Sequence, residues 1–168
     1  LDWNREMTPW PAPTVMRKGD DFGGEADTYL QELREIILPD ILAKLMGQPE
    51  YIALAGYSLG GLFAVYALYR TNLFSRVASA SGSLWYPNFL DFAKEHEFCR
   101  KPERLYFSLG NKEKKTKNSA MKTVEEHTKE LYRWYKEKDI YTVYEENPGN
   151  HFQDAVNRMA NGIVWILQ

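Results

Sequence analysis

The residues best placed to do chemistry begin with a serine between glycines, Gly56-Tyr57-Ser58-Leu59-Gly60. A short apolar run, Tyr51 to Ala55, leads into this segment, and an apolar stretch from Leu59 to Arg70 leads out of it. Read as strand, turn and helix, the arrangement predicts a sharp turn that holds Ser58 in a strained backbone conformation and presents its hydroxyl. Small residues two positions before and after the serine let such a turn close without a side-chain clash. The turn also aims the Leu59 N–H, and the positive end of the helix, at the place where an oxyanion would form. The same five residues can make an ordinary tight turn, so it is the flanking strand and helix that favour a nucleophile.

A serine hydroxyl at its ordinary pKa is a poor nucleophile, and the expected partner is a histidine base after the last strand. Of three histidines, His151 lies in Asn147-Pro148-Gly149-Asn150-His151-Phe152, a turn beyond the last predicted strand and at the mouth of the closing helix. His96 sits among charged residues and His127 on the polar side of a helix, so both are expected to be solvated. The third member would be a carboxylate that orients the imidazole. Glu113, in the turn Gly110-Asn111-Lys112-Glu113, is assigned this role, although pairing with Lys112, Lys114, Lys115 or Lys117 is a competing reading. Glu145, Glu146 and Asp154 are weaker candidates, and a Ser58–His151 dyad without an acid stays open.

The elements that must position these groups alternate from residue 51 onward. Tyr51–Ala55 suits a central strand covered on both faces, followed by strands Arg76–Ala80, Arg104–Leu109 and Tyr141–Glu145. Helices are expected at Leu59–Arg70 and Pro87–Glu95, and over the stripe Met121, Val124, Thr128, Leu131, Tyr135. In the closing helix the expected inward stripe is Phe152, Ala155, Val156, Met159, Ala160, Ile163 and Val164. Upstream, residues 26–47 read as one long or kinked helix around Pro39, and Leu1–Gly24 as an ordered loop rich in Pro, Gly and Trp. The whole is an α/β chain with a parallel sheet flanked by helices.

At 168 residues, 44% hydrophobic and 26% charged, the chain has the dimensions of a single domain spanning 1–168. Its 21 Lys and Arg against 23 Asp and Glu give a net charge of -2, without the basic surface that nucleic acid requires. Cys99 is the only cysteine, which fits a reducing, cytoplasmic setting. No run approaches the ~20 apolar residues of a membrane span, so a soluble protein is expected. Neither a cofactor nor a metal is expected.

The order Ser58, Glu113, His151, together with Ser81-Gly82-Ser83-Leu84-Trp85, resembles the esterase family that includes esterase D and the enterobactin esterases. The likeness covers most of residues 24–168. It implies an α/β-hydrolase fold, cleavage of carboxylic esters, a Ser-x-Ser-x-Trp loop beside the site (Ser81, Ser83, Trp85) and an acid in a Gly-x-x-Glu turn (Gly110, Glu113). The resemblance also implies a longer sheet. Only four strands are legible here, so the C-terminal half of the fold is expected, with the early strands and the second oxyanion donor supplied by an N-terminal segment or a partner chain. Trp3, Asn4, Trp10, Tyr57 and Trp85 are the expected substrate-binding residues, since flat apolar walls with a polar anchor suit a small acyl or aryl ester. Acyl transfer on the same fold and a non-catalytic binding module remain alternatives.

Overall fold

The computed structural model describes residues 1–15 and 19–168. Four parallel strands, β3 (Ile52–Tyr57), β4 (Phe74–Ala80), β5 (Arg104–Gly110) and β6 (Tyr141–Asn147), lie side by side in chain order. Helices α4 (Leu59–Ala67), α5 (Phe89–Glu95) and α6 (Val124–Glu137, after a 3-10 turn at Met121–Thr123) make the connections, and α7 (Ala155–Ile166) closes the chain. Parallel neighbours require such crossovers, because the chain must return to the starting edge before the next strand begins. Among the described residues, no helix is long and apolar enough to cross a membrane.

The two faces of the sheet are covered unequally. Val77, Leu105, Phe107 and Leu109 point into the larger core, where α4 supplies Leu62, Phe63 and Val65 and α6 supplies Leu131 and Tyr135. On the opposite face Ala78 and Tyr106 meet α7 through Ile166 and Trp165. β4 and β5 are buried along nearly their whole length, as the central strands of a two-sided layer must be. β3 differs from the central strand expected from its unbroken apolar run. Among the described residues it pairs with β4 alone, and every residue from Ile52 to Tyr57 is only half-buried.

The N-terminal segment is more regular than its prolines and glycines imply. The Asp2 carboxylate caps α1 (Trp3–Glu6) by accepting from the backbone N–H groups of Asn4 (3.1 Å) and Arg5 (3.3 Å). Short antiparallel strands β1 (Pro11–Ala12) and β2 (Phe22–Gly23) then pair, and Met7, Ala12 and Phe22 enter the core. The expected long helix is present as α2 (Ala26–Glu32), a π-helical turn (Leu33–Ile37) and α3 (Leu38–Leu42). Pro39 lacks the N–H that an α-helix would direct back to Glu35, and the turn before it is widened. This helix buries Ala26 and Leu30 but leaves Ile36 and Ile41 exposed, and it ends at Leu42, before the expected Gly47, with Leu45 and Met46 exposed beyond it.

α7 lies in a different register from the one its apolar residues imply. Phe152, which precedes it, is 87% exposed, Val156 is 81% exposed, and Val164 and Ile163 also face outward. The buried face instead carries Arg158, Gly162 and Ile166, spaced four apart. Gly162 is required by contact, since a Cβ there would lie 2.9 Å from the Tyr106 ring and 3.2 Å from Ala78 Cβ. Gly162→Ala is therefore expected to destabilise the fold by about 1–3 kcal/mol, while Val156→Ser and Val164→Ser stay within about 0.5 kcal/mol. Urea denaturation measures all three, and a costly Val164→Ser beside a silent Gly162→Ala would contradict this register.

Candidate active site

Ser58 stands between β3 and α4 with φ 57 and ψ -121. A non-glycine residue in that region carries strain on the order of 1–3 kcal/mol, and hydrogen bonds from both sides hold it. Its N–H donates to the Ala80 carbonyl at the end of β4 (3.2 Å), and its carbonyl accepts from Ser83 N–H (2.9 Å) and Leu62 N–H (3.1 Å). Gly56 meets a closer constraint than Gly60 does. A Cβ on Gly56 would lie 2.0 Å from the Gly60 carbonyl oxygen, whereas one on Gly60 would meet only the edge of the Trp3 ring at 3.2 Å. Leu59 opens α4 as its first residue, directly beside the serine.

His151 hangs from the turn after β6 and lies between the other two groups. Its Nε2 is 3.1 Å from Ser58 Oγ, and its Nδ1 is 2.8 Å from Glu113 Oε2. With Nδ1–H donating to the carboxylate, Nε2 is left as the acceptor that faces the serine hydroxyl. The Tyr57 hydroxyl donates to the His151 carbonyl (2.5 Å), with its ring 5.4 Å from the imidazole. Tyr57 thus stands behind the histidine.

Glu113 has a buried side chain, and its lysine neighbours do not hold it; Lys114 pairs with Glu125 instead. Glu113 Oε1 accepts from Ser81 Oγ (2.7 Å), the Gly110 N–H (2.7 Å) and Arg158 Nη1 (2.9 Å), leaving Oε2 for His151. Burial pushes this carboxyl up, but hydrogen bonds from His151, Ser81 and the Gly110 N–H outweigh it and hold the group below its usual value. The weaker acid candidates are engaged elsewhere: Glu145 with Tyr106 and Asn147, Glu146 with Lys129, Asp154 with Asn157. His96 is exposed and stacks on Phe92, while His127 is half-buried, not solvated as expected, and bonds the Leu84 carbonyl at 3.1 Å.

A cavity of about 490 Å³ opens over Ser58 and His151. Phe22, Leu59, Trp85, Met121, Val124 and Phe152 give it mostly apolar walls, and Asn4, Lys112 and Lys115 add polar groups. Of the expected substrate residues, Asn4 and Trp85 line this cavity. Trp3 lies over Gly60, half-exposed. Trp10 packs in the core against Tyr66, Tyr86 and Phe92, its Nε1–H donating to the Pro87 carbonyl (3.1 Å). Phe22, Phe152 and the pair Met121 and Val124 reach the cavity from three separate segments and carry no local signal of doing so. Ser83, whose Oγ is 3.4 Å from Ser58 Oγ, was signalled only by the Ser-Gly-Ser-Leu-Trp segment.

The family described as "Putative esterase" matches residues 3–157. The chain is 27% identical to the uncharacterized protein YbbA of Bacillus subtilis over 96% of its own length and 68% of that protein. Among solved structures, an IroE-like serine hydrolase from Shewanella oneidensis superposes with a TM-score of 0.75 at 20% identity. The siderophore hydrolase EstB from Aspergillus nidulans superposes with a TM-score of 0.68 at 19% identity. These matches cover 95% and 96% of this chain but 55% and 63% of theirs, so the chain spans little more than half the length of these structural relatives. The shared architecture is the α/β-hydrolase-like parallel sheet flanked by helices, and by its sequence this chain belongs to the "Putative esterase" family.

Proposed function

We propose that this protein is a serine hydrolase that cleaves a small carboxylic ester through Ser58, His151 and Glu113. The observation that carries the reading is the continuous relay from Ser58 Oγ to His151 Nε2 (3.1 Å) and from His151 Nδ1 to Glu113 Oε2 (2.8 Å), opening on an apolar cavity. Ser58 Oγ attacks the ester carbonyl carbon as its proton passes to His151 Nε2, and Glu113 stabilises the imidazolium. The Leu59 N–H receives the developing oxyanion. Collapse expels the alcohol, which takes the proton from His151, and leaves an acyl group on Ser58. Water then attacks that acyl group by the same steps and restores the serine.

Flat walls at Phe22 and Trp85 suit an aryl or short acyl group, with Asn4 as a polar anchor. A second oxyanion donor and a strand pairing with the open edge of β3 complete this reading, and we assign both to polypeptide outside residues 1–168, of the same chain or of a partner. Cys99 as the only cysteine supports a reducing, cytoplasmic setting.

Ser58→Ala is expected to abolish hydrolysis of p-nitrophenyl acetate by the full-length protein and to abolish labelling by a fluorophosphonate probe. Undiminished turnover would refute the assignment, and an unlabelled wild-type serine would favour a binding module. Glu113→Gln removes the acceptor that selects the histidine tautomer and is expected to lower kcat by as much as about 10⁴-fold; a kcat equal to wild type would exclude Glu113.

The depressed carboxyl also links Glu113 to acid stability. A group held below its unfolded value contributes stability that is fully present above that value and is lost as pH falls through the folded one. Glutamine does not titrate, so the stability difference between wild type and Glu113→Gln should narrow as pH falls below about 4.5. Urea midpoints across this range test the sign, and a difference that widens on acidification would contradict it.

A further inference from the structure

We infer that Arg158 is a positioning residue that locks the acid and the base of the site to one another from behind, an inference that rests on the hydrolase reading of Ser58, His151 and Glu113. Arg158 is 1% exposed, on the buried face of α7. A guanidinium so deep in the protein is retained at a large desolvation cost unless nearly all its donors are engaged. Four of its hydrogen bonds go to groups that support the site. Nη1 donates to Glu113 Oε1 (2.9 Å) and Ser81 Oγ (3.0 Å). Nη2 donates to the carbonyls of Pro148 (3.1 Å) and Asn150 (3.2 Å). The Asn150 carbonyl belongs to the peptide that carries His151. One rigid planar group therefore holds both the carboxylate and the turn bearing the imidazole, and so sets the separation between Oε2 and Nδ1.

The surroundings are cut to admit this fork. A Cβ on Gly110 would lie 2.8 Å from Nη2 and 3.0 Å from Nη1, and 2.5 Å from the Gly149 carbonyl oxygen. Ser81 completes the arrangement by donating to Glu113 Oε1 while accepting from Arg158. A lysine keeps the charge but presents a single nitrogen, which does not reproduce the planar two-sided grip on carboxylate and turn.

The test uses the full-length protein with Arg158→Lys and Arg158→Met, each alone and combined with Glu113→Gln. kcat and KM are measured for p-nitrophenyl acetate, and the folded fraction by circular dichroism. Misplacing catalytic groups by about 1 Å costs on the order of 10²-fold, so kcat per folded molecule should fall about 10- to 100-fold in Arg158→Lys and at least as far in Arg158→Met. KM should stay within about twofold, since the residue touches no substrate. In the Glu113→Gln background the same changes should cost at least about threefold less than in wild type, because only the turn bearing His151 is then left to position. Wild-type kcat in Arg158→Lys, a loss carried by KM, or losses that multiply with Glu113→Gln would each overturn the inference. Should Arg158→Met fail to fold, the lysine cycle decides alone. Retained turnover in Ser58→Ala would instead refute the underlying hydrolase reading, and so separates the two failures.

Discussion

A carboxylate with a side chain only 3% exposed must be supplied with donors, and meeting the needs of Glu113 ties together most of what surrounds the cavity. Its donors come from four places: the loop after β4 (Ser81), the last residue of β5 (the Gly110 N–H), the turn after β6 (His151) and α7 (Arg158). Ser81, Gly110 and the segment from His151 to Arg158 are far from one another along the chain. The Gly110 N–H reaches the carboxylate within its own turn, but Ser81, His151 and Arg158 do so only when the sheet is in register and α7 lies with its charged residue inward. Hydrogen bonding in a buried site is thus satisfied only by the complete C-terminal half of the fold, which makes the acid a reporter of correct assembly.

The parallel sheet delivers those donors because all its strands end along one edge. The register aligns Tyr57 with Ala80, Ala80 with Ser108, and Gly110 with Asn147. Just past each strand end the chain hooks onto its neighbour. Ser58 N–H bonds the Ala80 carbonyl, Ser81 N–H the Ser108 carbonyl, and Asn111 N–H the Asn147 carbonyl. Ser58 and Ser81 both have positive φ, 57 and 46, and both are anchored by these cross-strand bonds. This is the crevice at the carboxyl ends of parallel strands where α/β folds place their ligands.

The fold was legible to different depths along the chain. Strands two to four of the sheet and the α6 stripe at Val124, Thr128, Leu131 and Tyr135 follow their patterns, because burial and period agree there. β3 has the composition of a central strand but lies at the edge of the four strands, since composition reports what could cover a strand and not what does. Trp10 was read as a pocket wall and is a core residue. An aromatic ring with one polar atom suits either setting, and only the distant Pro87 carbonyl decides which.

Ser58, His151 and Glu113 could be singled out from sequence because each lies in a short segment with its own backbone constraint: a turn that needs Gly56, a turn after a strand, a Gly-x-x-Glu at a strand end. Their side chains meet within hydrogen-bonding distance through the sheet. Arg158 had no such local signature. In an amphipathic reading of α7 a charged residue and a glycine mark the outer face, and Val156, Ile163 and Val164 mark the inner one; the structure reverses both. Hydrophobic periodicity records the gain from burying apolar area. It is silent about a charge whose burial is compensated by partners 45 and 77 residues away. The sequence by itself determined the turns that present Ser58, Glu113 and His151. The tertiary structure alone decided which face of α7 is inward, which rings line the cavity, and which groups surround Glu113 beside His151.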